Sequence, residues 1–257
     1  MTAVEKLVRA MARLRGPAGC PWDREQTHKS LKRQLLEETY ELLEAIDSDD
    51  PTKIANELGD LLLHVVFHSQ LAAERGDFDL EAVADRIVAK LVHRHPHVFG
   101  DTTVRDSDEV LQNWEQLKAE EPEAGDRTSV LDGVPRTLPA LMRAAEMQKR
   151  AARVGFDWED ATGPLAKVEE ELGELRAARA DGGQAGLADE IGDLLFAVVN
   201  VSRFCGLDPE EALRGAIDKF CRRFERIEQS ARRSGRSLQE MSLQEMDAIW
   251  EEGKAGR

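Results

Sequence analysis

A ten-residue segment occurs twice in this chain in nearly the same form. ELGDLLLHVV begins at Glu57 and EIGDLLFAVV begins at Glu190, a spacing of 133 positions. The same spacing carries LEETYELLEA, from Leu36, onto EEELGELRAA, from Glu169. Self-similarity at one constant offset indicates two copies of a single structural unit. A fold built from two related modules is therefore the first expectation for this chain.

The repeat continues downstream with a slightly different spacing. KLVHR and KFCRR place Lys90 and Arg94 against Lys219 and Arg223, and WEQLK at 114–118 resembles WEEGK at 250–254. A stretch rich in Gly, Pro, Asp and Ser separates the copies and has the composition of a linker. The predicted organisation is an N-terminal module at 1–121, a linker at 122–135 and a C-terminal module at 136–257.

Apolar residues within each module recur with the period of an α-helix. Three- and four-residue steps place one apolar stripe on a single helix: Leu58, Leu61, Leu62, Val65 and Val66. SDDP at 48–51 and ADGGQAG at 180–186 are typical of turns between helices. β-branched residues seldom alternate with polar ones, which argues against a sheet. The fold class is predicted to be all-α, with two tandem helical-bundle modules.

The charge of the chain limits its partners. A net charge of −15 argues against duplex nucleic acid, because proteins that bind it need a surplus of Lys and Arg. Phosphorylated small molecules are not excluded, since carboxylates reach phosphates through a divalent cation. Cys20, Cys205 and Cys221 lack metal-ligand spacing and are typical of a reducing compartment. Without a signal-peptide core or a bilayer-length apolar run, we expect a cytoplasmic protein with no membrane partner.

Four acidic residues recur in both copies at the same offset. Residues three apart on a helix lie on the same side, so each copy carries two carboxylate pairs on consecutive helices. If these helices pack antiparallel, the four carboxylates converge. Oxygen ligands without Cys or His favour Mg²⁺, or Mn²⁺ as a substitute, over zinc. The candidate metal ligands are Glu38, Glu41, Glu57 and Asp60 in the first copy, and Glu171, Glu174, Glu190 and Asp193 in the second.

Other interpretations of these acids stay open. Acidic residues on helices often form a solvated face, but here they lie beside the apolar stripe and the whole set is duplicated. A di-iron carboxylate bundle needs ExxH pairs, which neither repeated motif contains. A helical interaction protein without catalysis is the remaining alternative, and it applies with most force to the N-terminal module. Such a scaffold would show no thermal shift with a divalent cation.

Basic and aromatic residues offer complementary chemistry. Lys219 and Arg223 are four residues apart and point the same way, as do Lys90 and Arg94, so either pair could neutralise phosphates. An ordinary surface ion pair is the alternative. Trp250 could stack on a base or anchor the core, and Trp114 has the same two interpretations.

Two groups of histidines lie near these motifs. His64 and His68 follow the second acidic pair on the same helical face. Their counterparts in the second copy are Ala197 and Val201, so we expect them to pack rather than to bind metal. His93, His95 and His97 alternate around Pro96, where we expect a structural turn.

Several of these segments together resemble one protein family. The ExxE motif followed by E(L/I)GDLL, twice in one chain, resembles the two-domain bacterial MazG proteins. CPWD at 20–23, HRHPHVF at 93–99, PRTLPALMRA at 135–144 and VGFDW at 154–158 are similar to that family too. The resemblance covers nearly the whole chain and extends well beyond the metal motif.

The resemblance implies an all-α, Mg²⁺-dependent pyrophosphohydrolase. Such enzymes hydrolyse canonical or aberrant NTPs and dNTPs to the monophosphate and pyrophosphate, and they are typically homodimers with most activity in the C-terminal module. Our hypothesis for the mechanism makes Glu170 the acceptor of the water's proton and takes Glu171, Lys219 and Arg223 as the other catalytic residues. The implied substrate contacts are Lys167, Glu170, Asp189, Lys219, Arg223 and Trp250. A narrower enzyme, specific for dNTPs or dUTP, is the alternative activity.

Two positions depart from the pattern. Gly186 stands where relatives can carry a Lys shortly before the second acidic pair, which puts one phosphate contact in doubt. Gln34 stands in the first copy where the second has Lys167. The missing cation favours the C-terminal copy as the main catalytic site, and it leaves the N-terminal copy as a second site or a dimerisation scaffold.

Overall fold

The structure is a computed structural model that describes residues 1–107, 109, 110, 113, 114, 117 and 128–255. Helices and turns account for its regular structure, and no strand occurs within those ranges. The all-α prediction is thus confirmed. The chain divides into two compact units, Met1–Gly125 and Asp126–Arg257. The first part of the predicted linker, 122–127, lies outside the described residues.

The N-terminal unit begins its helices with strong capping signals. Thr2 accepts from the backbone N–H of Glu5, whose carboxylate in turn accepts from the Thr2 backbone, a reciprocal capping box. The side chains of Asp50 and Asp79 accept backbone N–H groups at the starts of later helices, and Pro51 takes the first helical position after Asp50. The helices are α1 (Ala3–Arg15), α2 (Pro21–Glu25), α3 (Lys32–Asp47), α4 (Pro51–Ala73), α5 (Leu80–Arg94) and α6 (Pro96–Phe99).

The C-terminal unit repeats the pattern of two long helices in a hairpin, followed by a third. Asp208 caps that third helix and is followed by Pro209. The helices are α7 (Ala140–Arg153), α8 (Thr162–Asp181), α9 (Gln184–Phe204), α10 (Pro209–Arg233) and α11 (Leu243–Ala255), with a 3₁₀ turn at Leu238–Glu240.

Tight turns connect the two acid-bearing helices of each unit. α3 ends at Asp47 and α4 begins at Pro51, with Asp49 in the left-handed region at φ 51°. α8 ends at Asp181, and Gly182, at φ 74°, reverses the chain before α9. Asn, Asp and Gly are the residues that adopt this conformation most readily. Both predicted turns are confirmed, and each pair of helices forms an antiparallel hairpin.

Burial divides the apolar stripe of α4 into two faces. Val66 and Phe67 are buried with Met11, Leu31 and Leu71 in the core of the N-terminal unit. Leu58, Leu62 and Val65 instead remain between 39% and 51% exposed. The residues at the same repeat positions in α9 are also exposed: Ile191, Leu195 and Val198. Only part of the predicted stripe therefore contributes to the core of its own unit.

A buried glutamine ties α7 to α9 in the C-terminal unit. The Gln148 side-chain amide is 6% exposed and donates a hydrogen bond to the carbonyl oxygen of Phe196 at 2.8 Å. Ala197 and Val199 are buried beside it in α9, and Ile227 is buried in α10. This packing buries the C-terminal half of α9 against its own unit. No helix in the described part of the chain has the length and apolar character needed to cross a membrane.

Candidate metal and nucleotide site

Three acids of the N-terminal unit come together between α3 and α4. Glu38, Glu41 and Glu57 each offer one carboxylate oxygen, and these oxygens lie within 4.8 Å of one another. Asp60, the fourth predicted ligand, lies outside that group. Burial raises the pKa of Glu38, and the charges of Asp60, Glu41 and Glu57 raise it further. Asp60 is thus near enough to act on the cluster electrostatically, although its shorter side chain does not bring it into the group.

The C-terminal unit repeats this arrangement between α8 and α9. Oxygens of Glu171, Glu174 and Glu190 lie within 4.8 Å of one another, while Asp193 lies outside the group. The pKa of Glu190 is raised by burial first, then by the charges of Glu174, Glu171 and Asp193, and by a hydrogen bond with Glu174. The structure therefore brings together three of the four predicted ligands in each unit and leaves the Asp at the margin.

Two oxygens of the C-terminal cluster lack the partners that buried oxygens normally have. Glu171 is only 3% exposed, and its Oε2 has no hydrogen-bond partner among the described residues. Oε2 of Glu190 is buried in the same way. A buried carboxylate oxygen without a donor is costly, and a cation removes that cost. Because all the atoms that could bind a metal here are carboxylate oxygens, this set of acids fits Mg²⁺ or Mn²⁺.

Lys167 forms an ion pair with one acid of this cluster. Its Nζ lies 2.7 Å from Oε1 of Glu170 and 2.5 Å from Oε1 of Glu171. The hydrogen bonds to Glu170 and then Glu171 raise the pKa of Lys167 above its ordinary value. Glu170 itself is exposed and stays outside the group of three. Lys167, which was predicted to contact phosphate, thus forms an ion pair with Glu171, which was predicted to bind metal.

The N-terminal unit has no ammonium at this place. Gln34 occupies the position that corresponds to Lys167, and Glu38 makes no ion pair within the described ranges. The nearest cation in sequence, Arg33, pairs at 2.8 Å with Glu37, and both side chains are exposed. The two acidic clusters therefore have carboxylates at the same repeat positions, but only the C-terminal cluster has a lysine counter-ion at the position of Lys167.

Arg223 and Trp250 contact each other on α10 and α11. The guanidinium carbon of Arg223 lies 5.4 Å from the centre of the Trp250 ring, and the Phe220 ring lies 5.2 Å from it. Neither Lys219 nor Arg223 makes an ion pair with the four acids among the described residues. The indole is thus a support for Arg223, an arrangement that neither the stacking nor the core interpretation anticipated.

The N-terminal unit repeats this contact. Arg94 lies over Trp114 with 5.0 Å between its guanidinium carbon and the ring centre. Lys90 is four residues earlier on α5, as Lys219 is on α10. The correspondence of these basic residues, inferred from KLVHR and KFCRR, therefore extends to their aromatic partners.

Two predicted positions lie at the start of α9. Asp189 is exposed, one residue before Glu190. Gly186 is exposed in the first turn of the helix, and a Cβ placed there would meet no atom within 4 Å. A side chain at position 186 would thus meet no steric obstacle at its Cβ.

A histidine contact near the first cluster was missed by the sequence analysis. Nδ1 of His28 lies 2.8 Å from Nδ1 of His68, and the two rings are stacked. His64 is 7% exposed, in keeping with the predicted packing role, and burial lowers its pKa although Asp60 opposes the change. No sequence signal links His28 to His68, because the two belong to different elements and lie far apart in the chain.

The alternating histidines lie at the junction of two helices, with His93 in α5 and His97 in α6, where a turn around Pro96 was predicted. Nδ1 of His95 lies 2.7 Å from the carbonyl oxygen of Leu91 and donates to it, and Pro96 begins α6 immediately afterwards. His95 and His97 contact each other with their rings tilted.

Comparison with known proteins gives a match that covers both acidic clusters. The family model of the MazG nucleotide pyrophosphohydrolase domain matches residues 26–99 and 161–227. The chain is 46% identical over 252 residues to the Thermotoga maritima protein named nucleoside triphosphate pyrophosphohydrolase/pyrophosphatase MazG, which covers 98% of this chain and 96% of that protein.

Two further relatives match over nearly all of this chain. The nucleoside triphosphate pyrophosphohydrolase of Escherichia coli K12 is 46% identical over 257 residues, covering 99% of this chain and 98% of that protein. YabN of Bacillus subtilis, an uncharacterised protein, is 50% identical over 242 residues, covering 94% of this chain and 49% of that protein.

Proposed function

The chain belongs to the MazG nucleotide pyrophosphohydrolase family, and on that premise we propose that it hydrolyses nucleoside triphosphates to the monophosphate and pyrophosphate. The proposed substrates are NTPs and dNTPs, canonical or aberrant. Two full-length relatives carry the name nucleoside triphosphate pyrophosphohydrolase, which supports this substrate class.

The observation that carries the proposal is the carboxylate cluster of the C-terminal unit. Glu171, Glu174 and Glu190 would hold Mg²⁺, or Mn²⁺ in its place, with Asp193 completing the set from the margin. The unpartnered buried oxygens of Glu171 and Glu190 support this assignment. The bound cation would supply Lewis-acid charge for the triphosphate oxygens and lower the pKa of an attacking water.

The remaining predicted residues would orient the substrate and move one proton. Glu170, exposed at the edge of the cluster, would accept the proton of the water that attacks the α-phosphorus. Lys219 and Arg223 would neutralise charge on the phosphates as pyrophosphate leaves. Trp250 would hold Arg223 in position through the observed ring contact. Lys167 and Asp189 would contact the nucleotide.

The N-terminal unit is proposed to be a weaker second site or a dimerisation scaffold. Its Glu38, Glu41 and Glu57 converge as their counterparts do, but Gln34 supplies no charge for a phosphate. Specificity restricted to dNTPs or dUTP is the alternative for the whole protein, and a substrate panel separates the two.

We also propose a homodimer that uses the exposed apolar faces of α4 and α9. Leu62 and Leu195 occupy the same repeat position and are 39% and 53% exposed. Apolar faces retained at matching positions in both units are more typical of an interface than of a monomer surface. The proposed modules remain 1–121 and 136–257, with 122–135 as linker. A cytoplasmic location and the exclusion of duplex nucleic acid stay predictions from composition.

The proposed reaction is tested by pyrophosphate release across a panel of NTPs and dNTPs. Glu171→Gln is expected to abolish release by the C-terminal site in the presence of Mg²⁺ and to leave at most the weaker release of the first unit, and a chelator should abolish release by the unmodified protein. Glu38→Gln measures the contribution of the first unit. Glu169→Gln is the matched control, because Glu169 is an exposed acid of the same helix turn. Unchanged release by Glu171→Gln would overturn the assignment.

A further inference from the structure

The two acidic clusters differ in charge at one repeat position. In the C-terminal unit, Lys167 Nζ lies 2.5 Å from Oε1 of Glu171, the most buried of the three converging acids. The side chain of Glu171 is 5% exposed, whereas that of Lys167 is 38% exposed. The ammonium of the partly exposed Lys167 thus contacts Glu171, the most buried of the predicted metal ligands.

The N-terminal cluster has no such cation. Gln34 is neutral, and within the described ranges Glu38 makes no ion pair. No positive charge is among the groups that act on the pKa of Glu38, which is raised by burial and by acidic neighbours alone. Its carboxylates therefore repel one another without an internal counter-ion, which favours the entry of an external one.

A divalent cation meets different obstacles at the two sites. In the C-terminal unit it meets a carboxylate whose charge Lys167 already neutralises at Oε1 of Glu171, so the two cations repel each other unless the ammonium moves away. A triphosphate offers a new anionic partner within the same site, so displacement costs less when the nucleotide arrives with the cation. In the N-terminal unit no described residue forms an ion pair with Glu38, so the incoming cation displaces none of them.

We propose that Lys167 is an internal counter-ion that excludes a lone divalent cation from the C-terminal site and passes to the phosphates when the nucleotide binds. The C-terminal unit then takes up cation and triphosphate together, and the N-terminal unit, with Gln34, binds the cation alone. This inference rests on the proposed metal and nucleotide site. Lys167 then determines the order in which cation and nucleotide bind, and the two units differ in the ligands that they require.

The first step is tested by measuring Mn²⁺ binding to the full chain without nucleotide. Electron paramagnetic resonance gives the concentration of free Mn²⁺ and hence the affinity. A Glu38→Gln/Glu41→Gln background leaves only the C-terminal cluster, and there Lys167→Gln is expected to raise the Mn²⁺ affinity about tenfold. A Glu171→Gln/Glu174→Gln background leaves the N-terminal cluster, where Gln34→Lys is expected to lower the affinity by a similar factor. The opposite directions of the two substitutions separate this effect from a general loss of folding.

Arg179→Gln is the matched control in the first background. It removes one positive charge from the same helix about three turns beyond Lys167, so the Mn²⁺ affinity should stay unchanged. The second step is tested with the α,β-methylene analogue of ATP. Lys167→Gln is expected to weaken binding of the Mn²⁺–analogue complex, because the phosphates lose the ammonium.

Two results would overturn the counter-ion role while leaving the metal site intact. One is an Mn²⁺ affinity that is unchanged or lower in Lys167→Gln, and the other is an equal rise in Arg179→Gln. The absence of Mn²⁺ binding in both backgrounds would instead overturn the proposed metal site, and the inference with it. Because binding rather than turnover is measured, these outcomes are distinct from a change in catalysis.

Discussion

The guanidinium of Arg223 lies over the ring of Trp250, with 5.4 Å between its central carbon and the ring centre. Arg94 and Trp114 repeat the contact in the other unit at 5.0 Å. Because a cation over an aromatic face gains about 0.5–2 kcal/mol, each indole restricts where its arginine can point. Trp250 would thus act on the proposed phosphate binding through Arg223.

Replacing Trp250 should weaken nucleotide binding independently of the base. Trp250→Ala is expected to raise KM roughly tenfold for every NTP, since the loss of the ring contact frees Arg223. Trp250→Phe should recover much of this loss, because a smaller ring still faces the cation. Steady-state kinetics with one purine and one pyrimidine substrate provide the measurement. An effect confined to one base would show direct stacking on the nucleotide instead.

A lysine at position 186 should strengthen phosphate binding. Gly186 is exposed in the first turn of α9, and a Cβ there meets no atom within 4 Å. Gly186→Lys is therefore expected to fold normally and to lower KM by roughly threefold to tenfold through an added charge. Gly186→Ala is the control for the change in helix propensity, which alone favours the helix by up to about 1 kcal/mol. Equal KM values for the two variants would contradict the predicted phosphate contact.

Stabilisation by a divalent cation should increase with pH. The pKa values of Glu38 and Glu190 are raised in the folded protein above 4.5, chiefly by burial. Their contribution to stability is present below the unfolded pKa and is lost as pH rises through the folded pKa. Mg²⁺ without nucleotide should restore it in the N-terminal cluster by binding the ionised acids, so Tm should rise by roughly 5 °C near pH 7.5 and by less near pH 5.

Thermal melts with Mg²⁺ and with a chelator measure this difference. A Glu38→Gln/Glu171→Gln variant serves as control and should show little Mg²⁺-dependent shift at either pH. An identical shift at both pH values would indicate that the cation binds elsewhere.

Charge placed on the exposed apolar faces should dissociate the proposed dimer. Leu62→Glu combined with Leu195→Glu is expected to raise the dimer dissociation constant at least about a hundredfold, because an interface would bury two unpaired carboxylates per chain. The fold of each unit should persist, since both leucines are exposed within their own unit. Sedimentation velocity measures the mass. Leu243→Glu, at a position 82% exposed, is the control, and a dimer that persists in the double variant would contradict the proposed interface.

Much of the fold and part of the site follow from the sequence because they depend on local geometry. Helical period and turn composition predicted the hairpins, and the three-residue spacing of Glu38 and Glu41 predicted their convergence with Glu57. Asp60 was expected in the same group. It lies outside the group, and Asp has one methylene fewer than Glu and reaches less far from the helix.

Other features depend on contacts that periodicity does not encode. The stacking of His28 on His68 joins residues of different elements. The exposure of Leu62 depends on which face of α4 its own unit covers, and helical period alone gives both faces the same apolar pattern. Lys167 was predicted to contact phosphate from the family resemblance, whereas its ion pair with Glu171 became apparent only from the side-chain positions.

Every predicted ligand of one metal site lies on a single helical hairpin, within Glu171–Asp193 in the C-terminal unit. The contacts that assemble the site are therefore local in sequence, and such contacts form early and fast in folding because they close only short loops. A hairpin of this kind is also self-contained as an inherited segment. Duplication of the hairpin copies the whole ligand set in one event. A single later substitution, such as the one that distinguishes Gln34 from Lys167, can then alter the chemistry of one copy and leave the other copy intact.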